Sequence, residues 1–261
     1  MARPLRLVFE DACYHITSRG NRREDIFHTD KDKSVFLEKL NETFNRHSIV
    51  CYAYCLMDNH YHLFVKTPRA NISRAMHYLN TSYTNWFKAE HGIIGSVLQG
   101  RYKSMLVDED SYGIVLSAYI HLNPLRAGVV EDLRNYKWSS YLNYVKDNKR
   151  TVDSLDTEFI LAQFSGNTKE ARRLYKKYVI ENKSIKDPLE NSFKGIVLGS
   201  REYAVDILEK ISKLGKRREI PHTRGIDTIT SDEIIKAIEK KYKISKEDIT
   251  EKKKGNLFRK L

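Results

Sequence analysis

The stretch "IVCYAYCLMDNHYHLFVKT", from Ile49 to Thr67, constrains this chain more than any other. Two β-branched and aromatic runs flank Asp58-Asn59, a dipeptide suited to a two-residue hairpin turn. The pattern predicts two antiparallel strands, the second ended by Pro68. That hairpin sits at the centre of an ordered series. Before it, "CYHITSRGN" alternates as a strand, and "DKDKSVFLEKLNETFNRHS" places Val35, Phe36, Leu37, Leu40 and Phe44 at helical spacing, with Asp30 as N-cap. After it, "NISRAMHYLNTSYTNWFKAEHG" repeats apolar residues every three or four positions and stops at Gly92. A strand, "RYKSMLVD", and a helix, "EDSYGIVLSAYIHLNP", complete the series, with Pro124 expected to close the helix.

The order β-α-β-β-α-β-α predicts an α+β, ferredoxin-like domain, with helices on one face of an antiparallel sheet. The opposite face is expected to be open for chemistry. His60 and His62 fall on a strand, where side chains two apart share a face, so the imidazoles stand roughly 6–7 Å apart along it. Tyr61, Leu63 and Val65 take the other face. Neutral imidazole is a common ligand for divalent metals, although most isolated pairs of this kind are surface or hydrogen-bonded histidines. Zinc shared with Cys51 and Cys55 is excluded on spacing, since cysteines four apart on a strand are separated by about 13 Å. Both read as packing residues.

In the last helix Tyr119 and Asn123 are four residues apart and share a face. A tyrosine hydroxyl can act as nucleophile and an amide oxygen can complete a hard-metal site. Most of the 16 tyrosines must be packing residues, and an unperturbed phenol, with a pKa of about 10, reacts slowly at neutral pH. Metal coordination of a target phosphate would offset that. Tyr112, two turns before Tyr119, is the local rival, and His121 is expected to face away.

The 261 residues carry 46 Lys and Arg against 34 Asp and Glu, a net charge of +12. From His60 to Val107 six cations, Lys66, Arg69, Arg74, Lys88, Arg101 and Lys103, oppose the single anion Glu90. They are interleaved with Tyr78, Tyr83, Trp86 and Tyr102, a mixture suited to the phosphates and bases of a nucleic-acid strand. No run of about 18 apolar residues predicts a membrane span, and the first residues lack the apolar run of a secretion leader. With three cysteines in no disulfide-framework spacing, a cytoplasmic, nucleoid-associated location is expected.

Taken together, "MDNHYHLFV", "QGRYKSMLV", "YIHLNPLRAGVV" and "YKWSSY" resemble the REP-associated tyrosine transposases. These belong to the HUH single-strand endonuclease superfamily, close to the single-tyrosine insertion-sequence transposases. "YHITSRGN" fits that family's first strand, and the resemblance runs from Met1 to Tyr144. It implies that His60 and His62 hold Mg²⁺ or Mn²⁺, that Tyr119 attacks a DNA phosphodiester to leave a 5′-phosphotyrosine link and a free 3′-hydroxyl, and that Asn123 is the third ligand. The implied substrate is single-stranded DNA folded into hairpins. Arg19, Arg22, Arg101 and Lys103 are the candidate phosphate contacts, and a monomer or a dimer is compatible with the family.

The expected organisation is an HUH domain over residues 1–148, a mainly α-helical extension and linker over 149–225, and a helical appendage over 226–261. A polar boundary is expected near 146–156. The appendage has a capping box at Thr230 and Glu233 and a second helix capped by Ser245. It resembles the opening helices of the DNA-binding domain of the bacterial replication initiator, without that domain's further helices. Two other functions remain open on the sequence: a non-catalytic DNA-binding regulator that keeps the fold, and a metallonuclease using water as nucleophile.

Overall fold

The computed structural model describes residues 7–184 together with 187, 190, 192, 195–200 and 202–207. The appendage at 226–261, with Thr230, Glu233 and Ser245, lies outside the described residues. The predicted series is found in order: β1 (Ala12–Arg19), α1 (Asp30–His47), β2 (Val50–Leu56), β3 (His60–Thr67), α2 (Ile72–His91), β4 (Lys103–Val107) and α3 (Glu109–Arg126). A short helix α4 (Tyr141–Val145) follows, and the extension adds α5 (Glu158–Leu161), α6 (Thr168–Glu181) and β5 (Val197–Leu198). The five strands lie in the order β2-β3-β1-β4-β5. Each neighbouring pair among the first four is antiparallel, the ferredoxin-like arrangement, and β5 joins β4 in parallel. Among the described residues no helix is long and apolar enough to cross a membrane.

One face of the sheet carries Tyr14, Ile16, Tyr61, Leu63 and Val65, packed with α1 and α2 residues such as Phe36, Leu40, Leu79 and Tyr83. The other face was expected to be open and is instead covered. There Cys13, Tyr52, Cys55 and Phe64 pack with Leu116, Tyr119 and Ile120 of α3, with Tyr144 of α4 and with Tyr175 of the extension. A β-bulge between Cys51 and Ala53 sends Cys51 to the first face and Cys55 to the second. All three cysteines are buried and free.

The helix ends refine the sequence expectations. Thr29, not Asp30, caps α1: its hydroxyl accepts from Asp32 N, while the Asp32 carboxylate accepts from the N–H of Thr29 (2.8 Å) and of His28 (2.7 Å). Asp30 points out to Lys137 and Trp138. Gly92 closes α2 at φ 64°, a left-handed conformation that glycine adopts without strain.

Pro124 does not end α3, which continues to Arg126. A proline has no N–H to offer the carbonyl four residues back. Here the Asn123 side-chain amide covers that loss, donating to Ile120 O at 3.3 Å and to Tyr119 O at 2.9 Å.

The polar stretch 146–156 is no free linker. Val152 and Leu155 are buried, and Cys51 exchanges backbone hydrogen bonds with Ser154 and Asp156 at the bulge. His121, expected to face away from Tyr119, is wholly buried. Its Nδ1 pairs with the Tyr175 hydroxyl and its Nε2 with the Ser140 hydroxyl, both at 2.7 Å, tying α3 to α6 and to the residue before α4.

Candidate active site

Strand pairing sets out the site. Cross-strand partners in an antiparallel pair share a face, so the row Cys55, His62, Thr17, Lys103 runs across β2, β3, β1 and β4 on the covered side. The next row along holds His60 beside Arg19, at the end of the hairpin. His60 and His62 have ring centroids 5.0 Å apart. Tyr61 between them points to the opposite core, where its hydroxyl donates to Asn80 Oδ1 at 2.7 Å.

Each imidazole has one nitrogen engaged. His60 Nδ1 pairs with Asn59 Oδ1 at 2.6 Å, and because that oxygen only accepts, the proton sits on Nδ1 and Nε2 is left basic. His62 Nδ1 pairs with Nε2 of His15 at 2.9 Å. Those two rings stack with centroids 5.2 Å apart and planes within 7°. Burial keeps these rings neutral. It lowers the His60 pKa with help from the Arg19 guanidinium, and that of His62 further with help from its two histidine neighbours; it takes His15 down to about 3. Neutral imidazoles oriented through the other nitrogen fit metal ligation. Among the described residues, however, no three His, Cys, Asp or Glu side chains are grouped to hold an ion. Among the described residues, a ligand to join His60 and His62 would be an amide, water or the substrate itself.

Tyr119 comes down on this pair from α3. Its ring meets His62 edge-on at 5.9 Å and His15 edge-on at 6.4 Å, and the Arg126 guanidinium lies 5.1 Å from the ring centroid. The hydroxyl donates to Asp187 Oδ2 at 3.1 Å. Burial, then the Asp187 carboxylate, pushes the phenol well above its ordinary range. Tyr112 packs partly buried with the apolar residues around α3. Asn123 follows Tyr119 by one turn, its amide nitrogen held by the helix and its Oδ1 turned away from those bonds.

The candidate phosphate contacts are not all gathered at the histidine rows. Lys103 and Arg19 are exposed on the rows of His62 and His60, and Arg19 Nε donates to Gln99 Oε1 at 2.5 Å. Arg22 is exposed in a tight turn after β1, at φ 53°. Arg101 lies against α2, in a cleft away from the histidine rows.

Two neighbours escaped the sequence reading. His15 belongs with the histidine pair through the β1–β3 register, and its one local signal is that it alternates in phase with Thr17 and Arg19. Asp187 arrives from the extension, with no sequence signal linking it to Tyr119.

The segment from β1 to the turn after Tyr119 carries all of this except Asp187 and Arg126. Residues 8–123 match the family of IS200-like transposases. The resemblance read from the motifs is borne out at that level, and the match spans His15, His60, His62 and Tyr119 and ends on Asn123. Among solved structures, the REP-associated tyrosine transposase bound to a REP hairpin aligns with a TM-score of 0.48 at 16% identity, covering 60% of this chain and 93% of that one. No curated protein matches the chain. The transposase-like segment thus contains the fold's four antiparallel strands and the helix bearing the tyrosine, while the extension supplies Asp187.

Proposed function

We propose that this chain is a metal-dependent single-strand DNA transposase or endonuclease that cuts and rejoins hairpin-containing DNA through Tyr119. The observation that carries the reading is the Tyr119 ring standing edge-on over His62, within a segment that matches the IS200-like transposases. The hairpin substrate comes from the sequence resemblance and from the basic, aromatic-rich segment between His60 and Val107.

His60 and His62, with Asn123 Oδ1 as third ligand, would hold Mg²⁺ or Mn²⁺, and their neutral rings, with Nε2 of His60 basic, suit that role. The bound ion would withdraw charge from the scissile phosphate. Tyr119 Oη attacks phosphorus, the P–O3′ bond breaks, and the phenolic proton passes to the Asp187 carboxylate that already accepts from it. The leaving 3′-oxygen takes a proton from water. Rejoining reverses these steps: a 3′-hydroxyl attacks the phosphotyrosine, and the proton returns to Tyr119.

The test is a denaturing gel of the protein with labelled hairpin oligonucleotides and Mn²⁺ or Mg²⁺. The expected result is a covalent protein–DNA band and a free 3′-hydroxyl fragment. Free cut product without adduct would indicate a hydrolytic nuclease, and a native shift without cutting a regulatory DNA-binding protein; either would overturn the reading.

A further inference from the structure

Arg126 is the last residue of α3 and lies just beyond residues 8–123, the segment that matches the IS200-like transposases. It follows Tyr119 by two helical turns, with Asn123 between them, so the three share one helical face. Long side chains on a helix lean toward its N-terminus. Here the Arg126 guanidinium reaches back to lie 5.1 Å from the centre of the Tyr119 ring. That contact needs α3 to continue through Pro124, which the Asn123 amide supports by donating to Tyr119 O and Ile120 O.

The charges around the phenol call for a cation. Asp187 accepts from the hydroxyl and Glu190 adds a second carboxylate, so an incoming phosphodiester meets like charge. Burial first, and the Asp187 carboxylate next, oppose ionisation of the phenol, while the Arg126 charge acts the other way. Arg126 is exposed, and among the described residues it makes no hydrogen bond or ion pair, resting on the ring alone. All five of its N–H donors are therefore available. A guanidinium is planar, permanently charged and matched to phosphate oxygens. A cation in the last turn also suits the helix dipole, but that interaction needs no stacking on Tyr119.

We infer that Arg126 is a further catalytic residue, whose guanidinium binds a non-bridging oxygen of the scissile phosphate and stabilises the charge it gains as Tyr119 attacks. The assignment rests on the proposed function. Phosphorus in line with Tyr119 Oη stands about 3–3.5 Å from it, within reach of a guanidinium already resting on the same ring. The proton path is unchanged. The Oη–P bond forms as the P–O3′ bond breaks, the phenolic proton goes to Asp187, and Arg126 keeps all its protons throughout. Because the ring holds the guanidinium beside the site before DNA arrives, little reorganisation is needed when charge develops. After attack the guanidinium pairs with the phosphotyrosine.

The test compares the full-length chain with Arg126→Gln and Arg126→Lys in single-turnover adduct formation, at saturating hairpin and Mn²⁺. Loss of one donor to a developing oxyanion costs about 10²–10³-fold in rate, and Arg126→Gln is expected to slow the adduct by that factor, with Arg126→Lys in between. Hairpin affinity should hardly change, since one phosphate contact among many is lost. In a second arm a methyl group replaces one non-bridging oxygen of the scissile phosphate, as the two separated methylphosphonate isomers. On the isomer lacking the oxygen that Arg126 holds, the gap between parent and Arg126→Gln is expected to close; a merely structural loss would persist on both. An unchanged rate for Arg126→Gln on the natural hairpin, or the same loss on the natural diester and both isomers, would overturn the assignment and leave Tyr119 as nucleophile. A parent chain that forms no adduct would instead remove the proposed function, and the role of Arg126 with it.

Discussion

The Tyr119 hydroxyl donates to the carboxylate of Asp187 at 3.1 Å, across 68 positions of sequence. This contact joins the helix of the transposase-like segment to the extension at the atom that would carry out the attack. In the proposed mechanism the proton leaves as the oxygen–phosphorus bond forms, and Asp187 is the acceptor already hydrogen-bonded to it. Asp187→Asn keeps the shape and removes the basicity. Adduct formation is expected to slow by about 10²-fold at neutral pH, at the lower bound for general-base catalysis, with hairpin affinity unchanged. Single-turnover kinetics would show this, and an unchanged or faster rate would remove Asp187 from the proton path.

His15 hydrogen-bonds to His62 and stacks on it, so in the proposed mechanism it is a positioning residue. Replacing His15 with Phe keeps a stacked ring and loses the hydrogen bond to His62 Nδ1. Loss of such an outer partner typically costs 10–100-fold in metal affinity, so the Mn²⁺ concentration for half-maximal cleavage is expected to rise by about that factor, with the maximal rate largely kept. His60→Ala should abolish cleavage at any metal concentration while sparing hairpin binding, because phosphate contacts dominate affinity. Full cleavage in excess chelator would contradict the metal site altogether.

These cases show what the sequence made legible. The shared face of His60 and His62 was readable because strand alternation is a local pattern, whereas the placing of Tyr119 with them came from the family resemblance. His15 depends on which residue of β1 lies beside which residue of β3, and register is a long-range property. Asp187 has no periodic relation to anything near it. The covered sheet face was misjudged although a signal existed: "VCYAYCL" has no polar alternation, and a strand without it is buried on both faces. Pro124 misled because the sequence did not reveal that the preceding Asn123 would cap the carbonyl left without a partner.

Stability in acid should depend on Asp32, which is fully buried at the start of α1. Burial alone would raise its pKa, but the His91 side chain and the N–H groups of Thr29 and His28 together hold it below the ordinary carboxylate value. A carboxyl depressed in the folded state contributes stability above its unfolded pKa, and that contribution is lost as pH falls through the folded value. The expected acid unfolding lies below the usual carboxylate range. Asp32→Ala should cost about 2–3 kcal/mol at pH 7, from the lost cap and the buried N–H groups left unpaired, and should flatten that acid limb. Denaturant titrations between neutral and acid pH measure both, and a variant as stable as the parent would refute the assignment.

Binding should prefer hairpin or single-stranded DNA to blunt duplex and should weaken steeply with salt, since each neutralised phosphate releases counterions. Arg19→Ala and Lys103→Ala, exposed on the rows of His60 and His62, are each expected to lower the slope of log affinity against log salt by about one. Equal affinity for a random blunt duplex at physiological salt would count against the nucleic-acid surface described.

The central claim is that Tyr119 is the nucleophile, and the direct measurement is the position of DNA on the chain. The covalent complex formed with a cleavable hairpin is trapped, digested with trypsin, and the modified peptide sequenced by mass spectrometry. The account predicts DNA on Tyr119. It also predicts no adduct from Tyr119→Phe, which loses one hydrogen bond, about 1 kcal/mol of stability, and remains folded, and it predicts a normal adduct from Tyr112→Phe. DNA on any other tyrosine, or an undiminished adduct from Tyr119→Phe, would contradict the mechanism.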